Sequence, residues 1–346
     1  MKAVIFRRHG EPAVLEYADV PTPRPGPEDV LLRVKACALN HLDIWIRQGI
    51  PAYTIALPHI SGCDAAGTIE ELGQSVQGLR VGESVFVNPG LSCQRCVWCQ
   101  SGHENLCDSW GIFGAKTDGG YAEFAVVPAK NILRIPRVLS FEEAAAFPLV
   151  FVTAWHMLIT RANLKAGETV LIHAAGSGVG HAAVQIAKWR GATVYTTVGS
   201  DAKIPKAKAL GADVILNYQR ENVVERIKDL TQGEGVEVVF EHIGPQTWEE
   251  SIRLLKKAGR LVTCGATSGP SAPLDLRYVY SRELSIFGSI MGTRRELEAI
   301  TQLVGERTLK PIVDTVMPLR EARAAQERML SRDVFGKLIL KPDAHG

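Results

Sequence analysis

The chain has 346 residues, of which 46% are hydrophobic and 22% are charged, and its formal net charge at pH 7 is +2. This length suffices for two domains, and the composition is that of a folded protein and excludes a disordered one. The sequence has no block of like charges that would bind nucleic acid or an anionic membrane, so we expect a small-molecule partner.

The first ten residues, MKAVIFRRHG, contain too short an apolar run for a signal peptide and predict an opening strand that ends at Arg7 or Arg8. We therefore expect a cytoplasmic protein. The most apolar stretch, residues 144–159, is shorter than a membrane span and contains Pro148. It predicts a buried helical region between two domains instead of a transmembrane helix.

From residue 1 to about residue 136 the sequence is typical of strands and turns. Apolar and polar residues alternate over 30–34, 67–72 and 83–87, and prolines and glycines separate these runs. Such alternation indicates strands that bury one face. We predict an antiparallel barrel or sandwich.

Four of the seven cysteines are clustered. Cys93, Cys96, Cys99 and Cys107 have the spacing C-x2-C-x2-C-x7-C within a loop. Four thiolates at this spacing can close a tetrahedral site around one divalent ion, which predicts one structural Zn2+ per chain with no open position for chemistry. His103 lies in the same loop and is an alternative ligand.

Two other interpretations of the cysteines are disfavoured. Disulfides are rare in the cytoplasm, where thiols stay reduced. A ferredoxin-type iron–sulfur motif continues with a three-residue gap and a proline, whereas here the gap has seven residues and Asp108 follows. The remaining cysteines, Cys37, Cys63 and Cys264, are solitary and typical of small apolar core residues.

From about residue 153 onward, predicted strands alternate with predicted helices. The strands cover 169–174, 193–198, 213–216, 236–240, 260–264 and 284–287. Strands that alternate with helices form parallel sheets, so this half predicts a doubly wound α/β domain.

The tail beyond Gly292 has a mixed pattern. A helix is predicted around Leu297, Ile300 and Leu303, and the segments after it are, in order, 311–316, a second helix at 322–329 and a last strand at 337–340. We expect this tail to pack on the first domain.

The first strand of the α/β half leads directly into a glycine-rich turn and a helix. Small residues let the backbone approach a pyrophosphate closely, and the helix N-terminus presents unpaired N–H groups and the positive end of its dipole. Strand, turn and helix in this order predict a dinucleotide-binding turn, and a tight turn without a ligand is the alternative. The predicted contacts are Gly176, Ser177, Gly178, Val179 and Gly180.

Together these motifs resemble the zinc-containing alcohol dehydrogenase and quinone oxidoreductase superfamily of medium-chain dehydrogenases. The resemblance covers nearly the whole chain and rests on the cysteine loop, the segments VKACALNHLD and PHISGCDAAG, the glycine turn and the tail. It implies a GroES-like barrel domain at 1–150 and 291–346, with a zinc lobe at about 90–110, and a Rossmann domain at 151–290. It also implies an active site in the cleft between them and a homo-oligomer, either a dimer or a tetramer.

The residues that hold a catalytic zinc in this superfamily are replaced here. Asn40 stands at the position of a ligating cysteine, Cys63 at that of a histidine, and Leu149 or a neighbour at that of the third ligand. Leu42 stands at the position of the proton-relaying hydroxyl. A Lewis acid stabilises the alkoxide in alcohol oxidation, so its loss favours reduction of a quinone or an α,β-unsaturated carbonyl.

Asn40 and Asp43 match an asparagine and an aspartate of the zinc-free quinone oxidoreductases. The resemblance implies that Asn40 polarises the substrate or positions the nicotinamide. A plain turn residue is the alternative for Asn40, because asparagine suits turns.

Cys63 and Asp64 are further candidates for the catalytic site. With His41 and His59 they offer ligands for a rebuilt catalytic zinc, which would make the protein an alcohol dehydrogenase. A buried thiol beside a structural acid is the simpler interpretation. A third class, a nucleotide-binding protein without enzymatic activity, also occurs in the superfamily.

Cofactor choice is read at the end of the second Rossmann strand, where an acid binds the ribose 2′-hydroxyl of NAD and small or basic residues accept the phosphate of NADP. That strand ends at Val198 without an acid. Ser200 and Lys203, together with Tyr218 by resemblance, favour NADP(H), whereas Asp201 favours NAD(H).

The resemblance also implies nicotinamide contacts at Thr153, Gly244 and Gly265. The two glycines follow predicted strands, at whose carboxyl ends open α/β sheets bind ligands. Ordinary turn glycines are the alternative.

Overall fold

A computed structural model describes residues 1–51 and 54–343 of the chain. The chain forms two compact units. Unit 1 comprises Met1–Leu149, Thr293–Arg307 and Pro311–Gly346, and unit 2 comprises Val150–Gly292 and Thr308–Lys310. The last part of the predicted tail, residues 344–346, lies outside the described residues.

The strands of the described residues are, in chain order, β1 (Lys2–Ile5), β2 (Glu16–Asp19), β3 (Asp29–Ala38), β4 (Asp64–Leu72), β5 (Ser84–Val87), β6 (Gly90–Leu91), β7 (Gly111–Ile112), β8 (Phe124–Pro128), β9 (Ile132–Arg134), β10 (Thr169–Ile172), β11 (Thr193–Val198), β12 (Val214–Asn217), β13 (Val236–Glu241), β14 (Leu255–Thr263), β15 (Ser285–Gly288), β16 (Val313–Pro318) and β17 (Lys337–Lys341).

The α-helices are α1 (His41–Gln48), α2 (Val97–Gln100), α3 (Phe141–Ala146), α4 (Pro148–Trp155), α5 (Gly178–Trp189), α6 (Ile204–Ala209), α7 (Val223–Leu230), α8 (Pro245–Leu254), α9 (Leu276–Ser281), α10 (Arg294–Gly305) and α11 (Ala322–Leu330). A π-helical segment, His156–Arg161, follows α4 directly. Short 3-10 turns cover Pro12–Val14, Glu104–Leu106, Ala129–Asn131, Asp201–Lys203 and Leu319–Glu321.

The main sheet of unit 1 has the strand order β16-β17-β3-β4-β5-β9, and β8 also pairs with β3. All of its pairings are antiparallel except β16 with β17. Within residues 32–36 of β3, buried apolar residues alternate with half-buried Arg33 and exposed Lys35, whereas the neighbours Val30 and Leu31 are both buried. These alternating residues confirm the predicted antiparallel, β-rich domain.

The C-terminal tail supplies two strands of this sheet. Its last strand, β17, lies between β16 and β3, and Ile339 is paired with Ala38. Because Ala38 is also paired with Asp64 of β4, three chain segments remote in sequence meet at one end of β3.

Unit 2 contains a six-stranded sheet with the order β12-β11-β10-β13-β14-β15, in which every pairing is parallel. Leu171, Val239 and Leu261 of the strands share a core with Ile227 of α7 and Ile252 of α8. Helices that cover a parallel sheet bury strands of this apolar composition. The predicted doubly wound α/β domain is confirmed.

The largest difference from the predicted strands is in β14, which begins at Leu255 instead of residue 260. The polar sequence Lys256-Lys257 hides the beginning of the strand, and a register shift between Val236 and Val238 of the neighbouring strand accommodates the irregularity. The apolar stretch 144–159 is divided among α3, α4 and the π-helical segment. Within residues 1–51 and 54–343, no helix has the length and apolarity needed to cross a bilayer.

Candidate functional site

A buried polar cluster lies at the end of β3 in unit 1. We call it the Asn40 cluster, and its members are Asn40, Cys63, Asp64 and Lys337. Asn40 precedes α1, Cys63 and Asp64 lie at the beginning of β4, and Lys337 begins β17. Their exposed fractions are 5%, 0%, 0% and 2% respectively. The double pairing of Ala38 brings these segments together.

The hydrogen bonds determine how the cluster is oriented. Lys337 Nζ donates to Asn40 Oδ1 at 2.5 Å and lies 3.4 Å from Asp64 Oδ2. Asn40 Nδ2 donates to Asp64 Oδ2 at 2.8 Å and to Cys63 Sγ at 3.2 Å. Since an ammonium group only donates, the amide oxygen of Asn40 must face Lys337 and its amide hydrogens must face Cys63 and Asp64.

The electrostatics of the cluster follow from its burial. Burial raises the pKa of Asp64, while Lys337 and the amide of Asn40 oppose that rise. Leu149 N donates to the other carboxylate oxygen, Asp64 Oδ1, at 3.0 Å. Burial also raises the pKa of Cys63 well above its usual value, so Cys63 is a neutral thiol near pH 7. Lys337 is therefore the source of positive charge in the cluster.

Asp43 holds the backbone that carries the cluster. Its Oδ2 accepts from Asn40 N at 2.8 Å and from the hydroxyl of Tyr121 at 2.9 Å, and its Oδ1 accepts from Gly62 N at 3.1 Å. Burial raises the pKa of Asp43 to about 6, although these three donors act against the rise. Asp43 thus positions both Asn40 and the segment leading to Cys63.

The two histidines considered as ligands of a rebuilt metal site make other contacts. His59 Nε2 lies 3.0 Å from the carbonyl oxygen of Gly114, and its Nδ1 lies 3.5 Å from Asp118. The ring of His41 stacks edge-on against Trp45. In the described part of the chain, the four cysteines of the loop are the one group of three or more His, Cys, Asp or Glu ligands with mutually close ligand atoms.

The loop cysteines are close enough to share one ion. The sulfurs of Cys93, Cys96, Cys99 and Cys107 all lie within 4.8 Å of one another, with 3.9 Å between Cys93 and Cys99 and 3.6 Å between Cys96 and Cys99. Tetrahedral zinc with bonds of about 2.3 Å requires sulfur separations of about 3.8 Å. All four are free thiols. The donor set therefore fits a zinc ion.

Backbone groups stabilise sulfur charge in this loop. The N–H groups of Arg95 and Cys96 lower the pKa of Cys93 to about 6. Cys107 Sγ accepts from Cys93 N and Ser109 N, both at 3.3 Å. His103, the alternative ligand, has Nδ1 3.3 Å from the hydroxyl of Ser101.

In unit 2 the glycine turn has the geometry of a strand-to-helix connection. Ser177 Oγ accepts from Gly180 N at 2.9 Å and so caps α5. A Cβ atom at Gly180 would lie 2.2 Å from the carbonyl oxygen of Ala174, so glycine is required for the helix to approach the strand. Thr197 of β11 holds the turn through bonds to Ala174 N and Ala175 N, each at 2.9 Å. The turn fits a pyrophosphate.

The other predicted glycine contacts lie together at the carboxyl edge of the sheet. Gly244 follows β13 and Gly265 follows β14, which are neighbours in the sheet. Buried Glu241 accepts from Ile243 N at 2.6 Å and from Gly244 N at 3.1 Å, which holds Gly244 at a φ of 94°. Thr153 lies in α4 and is 5% exposed.

The segment that was predicted to determine cofactor choice follows β11. Ser200 precedes the 3-10 turn Asp201–Lys203, and Tyr218, 41% exposed, follows β12. Asp201 is engaged by two groups, Asn217 Nδ2 at 2.6 Å and Arg220 Nη1 at 2.6 Å.

The sequence patterns did not single out Lys337, Tyr121 or Arg220. Lys337 stands in the segment FGKLIL, where a lysine directly before an apolar strand is unremarkable locally. The apolar residues that follow Lys337 predict a buried strand, and a fully buried lysine requires a polar or charged partner. This is the one feature of the sequence that could have indicated a role for Lys337. Tyr121 contacts Asp43 and Arg220 contacts Asp201, and both partners are distant in sequence, so no local motif indicates either contact.

Comparisons with known proteins agree with this architecture. The family model described as "Zinc-binding dehydrogenase" matches residues 178–306, and that described as "Alcohol dehydrogenase GroES-like domain" matches residues 26–137. An alcohol dehydrogenase of Geobacillus stearothermophilus is 35% identical over 99% of this chain and 100% of its own length. A quinone oxidoreductase of Salmonella typhimurium is 32% identical over 97% of this chain and 98% of its own.

A solved NAD-dependent alcohol dehydrogenase is 44% identical, with a TM-score of 0.95 and 99% of each chain covered. Similarity along the full length, in both the strand-rich and the α/β parts, confirms the predicted family. The chain therefore belongs to the medium-chain dehydrogenase family of alcohol dehydrogenases and quinone oxidoreductases and is an NAD(P)-dependent oxidoreductase.

Proposed function

We propose that this oxidoreductase reduces a quinone or an α,β-unsaturated carbonyl, prefers NADPH, and uses no catalytic zinc. The observation that carries the proposal is the Asn40 cluster. There the amide hydrogens of Asn40 point at Cys63 and Asp64, and the ammonium of Lys337 lies 3.4 Å from the same carboxylate. The amide hydrogens of Asn40 and the ammonium of Lys337 carry positive charge toward Cys63 and Asp64. Because like charges repel, a catalytic zinc ion would bind poorly to these two candidate ligands.

The cluster supplies the charge that such a reduction needs. A bound nicotinamide would supply a hydride for an acceptor that is already electrophilic. Negative charge then develops on the acceptor oxygen, and Lys337 stabilises it electrostatically in a desolvated setting. Asn40 orients Lys337 through the 2.5 Å bond to its Oδ1. Asp64 balances the ammonium in the resting protein.

Unit 2 is the part of the chain that would hold the dinucleotide. The pyrophosphate of the dinucleotide would bind at the N-terminus of α5, at the glycine turn. The nicotinamide would lie against the edge of the sheet that carries Gly244 and Gly265. The preference for NADPH is supported by the absence of an acid at Val198 and by Ser200 and Lys203 after it. The name of the 44% identical structure favours NADH as the alternative.

The four loop cysteines would hold one zinc ion in this proposal. Four protein thiolates complete a tetrahedral shell and leave no position for substrate, so the ion would brace the loop. The close sulfurs and the backbone N–H groups directed at them support this assignment.

A second candidate is alcohol oxidation with a catalytic zinc, which the names of the alcohol dehydrogenase relatives favour. Two measurements on the same preparation separate the candidates. Elemental analysis should find one zinc per chain, and an acceptor screen that follows NADPH and NADH absorbance should find quinone or enone reduction. Two zinc ions per chain with alcohol oxidation that a chelator abolishes would contradict the proposal.

A further inference from the structure

The loops that follow β11 and β12 leave the sheet side by side. The two strands are parallel and in register, with Val198 opposite Asn217, so the residues after each strand share one edge of the sheet. Gly199, Ser200 and Asp201 follow the first strand, and Tyr218 and Arg220 follow the second. In an open α/β sheet this carboxyl edge is where the adenosine half of a dinucleotide binds.

Two contacts join these loops. Asp201 Oδ2 lies 2.6 Å from Arg220 Nη1, and Asp201 Oδ1 accepts from Asn217 Nδ2 at 2.6 Å. The hydroxyl of Tyr218 lies so close to Gly199 that a Cβ atom there would be 2.5 Å from it. The acid at this edge is thus already paired with a cation and an amide.

From this geometry we infer that Arg220 reads the 2′-phosphate of NADPH and that Asp201 positions Arg220 instead of receiving the ribose 2′-hydroxyl of NADH. The inference rests on the proposed preference for NADPH. It assigns cofactor choice to the loop after β12, in addition to Ser200 and Lys203 after β11.

The chemistry of the pair suits this role. A guanidinium group has five N–H donors in a planar fork that matches a phosphate, so the contact of Nη1 with Asp201 does not exhaust it. The side chains of Arg220 and Asp201 are 73% and 45% exposed, and ion pairs with this exposure are weak and exchange partners readily. A phosphate dianion competes well for such a guanidinium.

The test uses two small probes that differ only in the phosphate, 2′,5′-ADP and 5′-AMP. Binding of each to the full-length protein is measured by calorimetry for the wild type, Arg220→Ala, Asp201→Asn and the control Arg253→Ala. Arg253 lies in α8 of the same unit and is also an exposed arginine paired with an acid, Glu249. All four proteins should melt at similar temperatures, because these side chains are exposed.

We expect the wild type to bind 2′,5′-ADP more tightly than 5′-AMP and Arg220→Ala to lose about 10- to 100-fold of that discrimination. Arg253→Ala should keep it. Asp201→Asn should lose part of that discrimination, because Arg220 loses the carboxylate that positions it, and it should bind 5′-AMP as tightly as the wild type does.

The outcomes separate this inference from the proposal on which it rests. A wild type that does not distinguish the probes would overturn both. A wild type that distinguishes them while Arg220→Ala is unaffected would overturn the role of Arg220 alone. A loss of about tenfold or more in kcat/KM with NADH for Asp201→Asn would show that Asp201 binds the ribose and would overturn its positioning role.

Discussion

Lys337 is the residue whose role depends most on its surroundings. It is 2% exposed and pairs with Asn40 and Asp64, which come from two other segments of unit 1. Removing one member of a buried ion pair leaves an uncompensated charge, whereas removing both often costs little. Stability and catalysis can therefore be separated at this pair by single and double substitution.

We expect Lys337→Met to lower the free energy of unfolding by about 3 kcal/mol, because the carboxylate of Asp64 loses its cation. The double variant Asp64→Asn with Lys337→Met should recover most of that stability. Acceptor reduction should remain about 100-fold slower in both, as is typical when a group that stabilises developing charge is lost. Urea unfolding and kcat measure the two effects, and a double variant with normal turnover would show that Lys337 is structural.

Asp43 gives the protein a specific dependence on pH. Its pKa is raised from 3.8 to about 6 in the folded state. The folded protein therefore binds more protons than the unfolded chain between these values, and stability falls as pH rises through that window. Relative to Asp43→Asn, the wild type should lose about 2 kcal/mol of unfolding free energy between about pH 4 and about pH 7. Parallel curves of unfolding free energy against pH would contradict this expectation.

At the scale of elements, the connection from β10 to α5 depends on one residue without a side chain. A Cβ atom at Gly180 would lie 2.2 Å from the oxygen of Ala174 and 2.7 Å from Ser177 Oγ. The backbone oxygen cannot yield without moving the turn that is expected to receive the pyrophosphate.

Gly180→Ala should therefore weaken dinucleotide binding by about tenfold or more and destabilise the protein by about 1–3 kcal/mol, as overpacking usually does. Gly288→Ala is the matched control, because a Cβ atom there would meet nothing within 4 Å. Fluorescence titration with NADPH and NADH measures the affinity. Equal affinities for the two variants would show that the turn tolerates displacement.

At the scale of the whole molecule, the proposed zinc site and the proposed catalytic cluster are separate groups of residues. The cysteine loop and the Asn40 cluster both belong to unit 1, but they are built from different residues. A zinc ion in the loop would act on stability, and the cluster would act on turnover.

Cys96→Ser should accordingly lose the single bound zinc and lower the thermal midpoint, because three thiolates no longer close the site. Turnover of the folded fraction should fall much less than in Lys337→Met. Zinc analysis, calorimetry and active-site titration together give these values. A fully stable Cys96→Ser protein without zinc would show that the loop needs no ion.

Patterns within short stretches of sequence predicted the parts of the fold that are held by local and periodic forces. The alternation in β3, the strand–turn–helix order at the glycine turn and the cysteine spacing each depend on residues close in sequence, so they could be recognised without coordinates. The beginning of β14 was missed because Lys256 and Lys257 interrupt its apolar pattern.

Side-chain partners across the sheet could not be recognised in that way. The approach of Lys337 to Asn40 follows from β17 pairing with β3, and the pairing of Arg220 with Asp201 follows from the register of β12 against β11. Register is set by packing of whole strands and not by any motif near the residues concerned. The sequence alone therefore determined the family and the architecture of this protein. Only the tertiary structure decided that Lys337 lies beside Asn40 and Asp64, because that contact depends on which distant strands become neighbours.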